Sequence, residues 1–143
     1  MKKIVFFLFA FMLSAVSVSA QNWGGYSNSY RQEQQSASIT FSNTSDYTMT
    51  LRLLKIGIRG NTYYSTVYLG SHSIKTVSFE STSSYKVKIK AVRNGIASYH
   101  DGGTFDVICD YRGYTQGSMS FSMSTYGNGL GPSISASEFE NNN

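Results

Sequence analysis

Cysteine is almost missing from this 143-residue chain, and Cys109 stands alone. An internal disulfide is therefore excluded, as are the Cys-x-x-Cys pairs from which structural zinc sites are built. Only two histidines occur, His72 and His100, with no His-x-His or His-Glu-x-x-His spacing, so the sequence predicts no metal centre. Charge is sparse too, at 14% of residues. If Lys2 and Lys3 are lost with a leader, ten basic residues face eight acidic ones. That balance is too weak to predict a nucleic-acid or anionic-membrane partner. Long apolar runs are absent after residue 13, and Ile4 to Leu13 is well short of the roughly 20 residues that span a bilayer. No stable membrane insertion is expected once a leader is cleaved.

What is present begins with that N-terminus. Lys2-Lys3, the apolar stretch from Ile4 to Leu13 and Val18-Ser19-Ala20 read as a secretory signal peptide over residues 1–20. The expected location is outside the cytoplasm: secreted, periplasmic or on the cell surface. Residues 21–38 are rich in Gln, Ser, Asn and Gly with almost no aliphatic residue, which predicts a flexible arm carrying Trp23, Tyr26 and Tyr30. A domain over 39–124 follows, then a loop and tail over 125–143 in which Ile134 and Phe139 are the residues expected to pin the tail.

Ser84 to Val92 organises the domain. Tyr85, Val87, Ile89 and Ala91 alternate with Lys86, Lys88 and Lys90, which is strand periodicity and places the lysines on a solvated face, with Asp106 or Asp110 as cross-strand partners. Further strands are expected at 39–41, 48–58, 62–69, 74–79, 96–99, 104–110 and 117–124. The phase of the second slips between Leu53 and Leu54, which predicts a β-bulge or a crossing between sheets. Asn94-Gly95 predicts a tight hairpin, because that turn needs positive φ at both central positions. His100-Asp101-Gly102-Gly103 reads as an interrupting turn. A three-residue loop Tyr111-Arg112-Gly113 would pair the last two strands, setting Phe105 beside Met119.

Seven or so short strands and no amphipathic helix predict an all-β chain: a single antiparallel β-sandwich preceded by a signal peptide and an arm. The layout resembles that of immunoglobulin-like and fibronectin-type domains, without their cysteine pair or core tryptophan. Cys109 alternates with Phe105 and Val107 and is expected in the core.

No catalytic set is expected. Cys109 faces inward, paired carboxylates of the glycosidase type are not visible, and Gly102-Gly103 lacks a phosphate loop's strand-to-helix context. No cofactor is implied. The excess is in tyrosine, eleven in all, which suits recognition because the ring offers an apolar body with a polar tip. Tyr111, Arg112 and Tyr114 around a hairpin tip are the candidate contact patch. The expected function is non-catalytic recognition of a glycan or protein, adhesion-like. The alternatives are a small extracytoplasmic enzyme or inhibitor using the His100-Asp101 region, and a surface-fibre subunit assembling by strand addition.

Overall fold

Period-two alternation is realised as strands along most of the described chain. The computed structural model describes residues 4–7, 36–124 and 127–143. The cleavage site, Trp23, Tyr26, Tyr30 and Tyr126 lie outside those residues. The strands are β1 (Ile4–Phe7), β2 (Ala37–Asn43), β3 (Thr48–Lys55), β4 (Thr62–Leu69), β5 (Ile74–Phe79), β6 (Ser83–Arg93), β7 (Ile96–Val107), β8 (Cys109–Asp110), β9 (Gly113–Tyr114), β10 (Gln116–Phe121), β11 (Met123–Ser124) and β12 (Gly127–Asn128). One short helix, α1 (Ala136–Glu140), follows.

Two four-stranded sheets carry the architecture, ordered β1-β10-β2-β5 and β4-β3-β6-β7, with two-stranded ladders β8-β9 and β11-β12 beside them. Pairing is antiparallel except between β10 and β2, which run parallel. The inner rows of both large sheets meet in one core: Ile39, Phe41, Phe79, Met119 and Phe121 from the first, Leu51, Leu53, Val87, Ile89 and Phe105 from the second. Phe79 is its centre, stacked on Tyr64 at 5.2 Å and meeting Tyr85 at 4.7 Å and Phe105 at 5.8 Å.

The slip in β3 is a register shift between Leu53 and Leu54 against β4. It leaves Leu53 in the core and turns Leu54, equally buried, to the other side, where its register partners are Tyr63 and Lys86. Asn94 and Gly95 both have positive φ and close the β6-β7 hairpin between Arg93 and Ile96.

Four expectations are corrected. His100 to Gly103 is not a turn: β7 runs through it, with a register shift between Val87 and Lys88 that leaves Gly102 as the extra residue. A Cβ at Gly102 would meet the Val87 carbonyl at 2.9 Å, so the absent side chain is what lets β6 approach. The β7-β10 hairpin does not form. After β8 the chain crosses sheets at Thr115, whose N–H donates to the Ile108 carbonyl at 2.7 Å and whose carbonyl accepts from Ser38 N–H at 2.9 Å, delivering β10 to β2. The tip loop has two residues, Tyr111 and Arg112, because Asp110 pairs with Gly113. Cys109 is not sealed inside; it is half-buried and packs against the rim of the core.

Candidate functional site

Among the described residues, the tip between β8 and β9 is the most projecting aromatic position. Tyr111 is 96% exposed and the Arg112 guanidinium lies 6.0 Å from its ring centre. Arg112 is itself clamped: its Nη2 donates to Asp110 Oδ2 at 2.6 Å, its Nε to Oδ1 at 3.1 Å, and its backbone N–H to Oδ1 at 2.8 Å. Thr82 ties the tip to the body, donating to Asp110 Oδ2 and accepting from Cys109 N–H, each at 2.8 Å. Arg112 and then Thr82 hold the Asp110 carboxyl far below the ordinary carboxylate range, and the same pairing raises Arg112. Tyr114 is placed differently. It sits opposite Cys109, half-buried against the core, so it supports the tip from below.

The outer face of the β4-β3-β6-β7 sheet carries cations and rings in register. One row runs Tyr68, Thr50, Lys90, Tyr99 and the next Thr66, Arg52, Lys88, Asp101. Arg52 lies over Tyr63 at 5.5 Å and Lys90 over Tyr99 at 5.9 Å. Arg52 and Lys88 face each other directly, a like-charge pair that is unfavourable on a bare sheet. The C-terminal segment resolves it. Lys88 Nζ donates to the Glu138 carbonyl, to the Asn141 carbonyl at 2.8 Å and to Asn141 Oδ1 at 3.2 Å; Arg52 reaches Glu140 at 3.4 Å and Asn142 at 2.7 Å.

Lys88 is therefore 2% exposed, where the sequence reading placed it on a solvated face. Burial, with Lys86 and Arg52 nearby, lowers its pKa, against the pull of Asp101 and Glu138. The lysines' carboxylate neighbour is also corrected: Lys86 pairs with Asp101 at 3.6 Å, while Asp106 accepts from Ser84 and Asp110 from Arg112 and Thr82. Phe139 pins the tail as expected, but the anchoring of this strap on Lys88 and Arg52 was missed because its signals are dispersed. The available clue was Ser135 three residues before Glu138, a capping box, which the structure shows closed from both sides, with Phe139 buried beside Tyr99.

Two clefts flank these features. One of about 410 Å³ lies under the strap between Lys86, Asp101, Glu138 and Asn141. The other, about 380 Å³, lies beside the Asn94-Gly95 turn, where Arg93 covers the Tyr47 ring at 5.6 Å and Ile96 and Met123 complete the wall.

His100 and Asp101, adjacent in one strand, face opposite sides. His100 is buried, its Nδ1–H donating to the Gly131 carbonyl at 3.3 Å and its Nε2 facing the Ser98 hydroxyl at 3.0 Å. Asp101 turns outward to Lys86 and accepts from Gly103 N–H at 2.8 Å. His72 instead meets Asp46 at 2.8 Å on the surface and lowers the Asp46 pKa. Among the described residues no group of three or more His, Cys, Asp or Glu is placed to hold a metal ion, and no helix is long and apolar enough to cross a membrane.

The chain matches no protein-family model, and no curated protein or solved structure is significantly similar to it.

Proposed function

We propose that this protein is an exported, non-catalytic recognition module: a β-sandwich of immunoglobulin-like or fibronectin-like layout that binds a glycan or protein through the Tyr111-Arg112 tip, with Tyr114 as its internal support. The sandwich reading rests on two four-stranded sheets sharing one core. Export rests on the N-terminal pattern of Lys2-Lys3, apolar run and small-residue site.

One observation carries the binding reading. A fully projecting tyrosine would ordinarily be a mobile side chain, and ordering it on contact would weaken binding. Here its partner Arg112 is already fixed by a carboxylate that is fixed in turn by Thr82. The tip therefore holds the cation in place beside a fully projecting ring, a pairing that suits stacking on a sugar face or insertion into a protein pocket.

The test is binding of the chain to a glycan array and to extracted cell-surface proteins, with Tyr111→Ala and Arg112→Ala combined. Affinity should fall by about 2 kcal/mol or more, while the thermal melt drops only by what the lost Asp110–Arg112 pair contributes and the chain stays folded at the assay temperature. Undiminished binding by the double variant would remove the tip as the contact.

A further inference from the structure

The outer edge of β10 carries the inference. In a parallel pair the N–H and C=O of one residue turn toward one neighbour and those of the next residue toward the other side. Ser38 N–H donates to the Thr115 carbonyl at 2.9 Å, and Gln116–Phe121 continue in register with Ser38–Asn43. The Thr115 carbonyl, Gly117 and Met119 therefore address β2, while Gln116 and Ser118 address the opposite edge. That edge is occupied by Ile4–Phe7, antiparallel, with Val5 opposite Ser118 and Phe7 opposite Gln116.

The outer edge of β7 is covered by a part of the chain that export leaves in place. Beside β7, Asp101 N–H donates to the Pro132 carbonyl at 2.8 Å and Ile134 N–H to the Tyr99 carbonyl at 2.9 Å. The edges of β4 and β5 are tied together by the Tyr64 hydroxyl, which donates to the Ser78 carbonyl at 3.0 Å. The cover on β10 is instead Ile-Val-Phe-Phe, from the run that reads as a leader's apolar region. On the export reading, which this step rests on, cleavage removes it. The N–H and C=O groups of Gln116 and Ser118 are then unpaired beside the core-facing Met119 and Phe121, an edge that templates strand addition.

We propose that the outer edge of β10 is a strand-acceptor site, held in cis by Ile4–Phe7 in the full chain and filled after export by a short, extended, apolar strand of another protein, antiparallel to β10. A second mature copy has no strand to spare. Its apolar strands are already in its own core, and Gln21 to Ser38 has almost no aliphatic residue. The main-chain ladder would supply affinity, and the apolar side chains of the incoming strand would supply selectivity.

Amide hydrogen exchange on the full chain tests this, because alternate amides of β10 report different neighbours. In a variant with Ile4→Gly, Val5→Ser, Phe6→Gly and Phe7→Ser, exchange at Gln116 and Ser118 should rise by about tenfold or more while Gly117 and Met119 stay protected. A synthetic peptide spanning Lys2–Phe9 should restore protection at Gln116 and Ser118. Ser118→Pro in the same background removes the outward donor without touching the β2 ladder and should abolish the peptide's protection of Gln116, the outward amide that remains. If the quadruple variant fails to fold, Val5→Pro alone loosens β1 for the same measurement. The proposal is overturned if peptide at roughly millimolar concentration leaves Ser118 exchange unchanged. It is also overturned if protection of Ser118 rises with protein concentration alone, which would put a second copy in the slot. Neither readout involves the Tyr111-Arg112 tip or depends on cleavage having occurred, so each reading can fail separately.

Discussion

Asn43 shows how much one side chain can hold. It is buried at the end of β2, its Oδ1 accepting from Ser45 N–H and hydroxyl at 3.0 and 2.8 Å, its Nδ2 donating to the Tyr47 and Gly70 carbonyls at 2.6 and 3.0 Å. Two loops far apart in sequence are thus braced by one amide. Asn43→Ala should cost about 2–3 kcal/mol in urea unfolding, since several partners are left buried without a mate. Gly102→Ala should cost about 1–3 kcal/mol by the same measurement, because the new methyl meets both the backbone and the side chain of Val87. Neither role was legible locally. Asn43 precedes Thr-Ser-Asp and looks like any turn residue, and Gly102-Gly103 looks like a loop; burial by a distant segment gives each its meaning.

At the scale of the element, the strap and the tip are both secured by charge meeting backbone or carboxylate. Lys88→Met keeps the stem but withdraws the ammonium from three acceptors, so the Phe139 and Asn141 amides, now bonded to Ser135 and Ser137, should exchange faster. A helix of only five residues cannot stand alone, so release of the anchor should release α1. In the β8-β9 tip, Asp110 has a lowered folded pKa, so its contribution is present above the ordinary value of 3.8 and is lost only as pH falls through its depressed folded value. Arg112→Ala should bring its titration back toward the ordinary carboxylate range, followed through its carboxyl carbon by NMR. The strand Ser84 to Val92, the slip at Leu53-Leu54 and the Asn94-Gly95 turn were all readable, because alternation and turn chemistry are properties of neighbours in the chain.

For the whole molecule, Phe79 joins the two large sheets, and Phe79→Ala should cost about 3–5 kcal/mol, read as a lower urea midpoint. Stability against alkali follows from two buried groups, Tyr85 and Lys88, and the half-buried Tyr64. Burial raises the pKa of Tyr64 and Tyr85, so their contribution is complete below 10.0 and declines as pH rises beyond it, where the unfolded chain ionises first. Lys88 works in the other direction. Its folded pKa is lowered, so stability rises with pH between that value and 10.5. Lys88→Met should therefore lose the rise and leave the fall above 10.0 standing alone, as seen in urea midpoints measured from pH 8 to 11.

By itself the order of residues determined that this chain is built of strands, where most of them bend, and which row of each turns from water, since those depend on contacts a few positions apart. Which strands become neighbours was decided only in three dimensions. The core-facing rows of several strands are interchangeable in chemistry, and crossing at Thr115 sends β10 to lie parallel with β2 when the hairpin pattern pointed to β7. The same holds for the lysine face: alternation marked it as wet, and the packing of residues 134–143 across it made Lys88 a buried anchor.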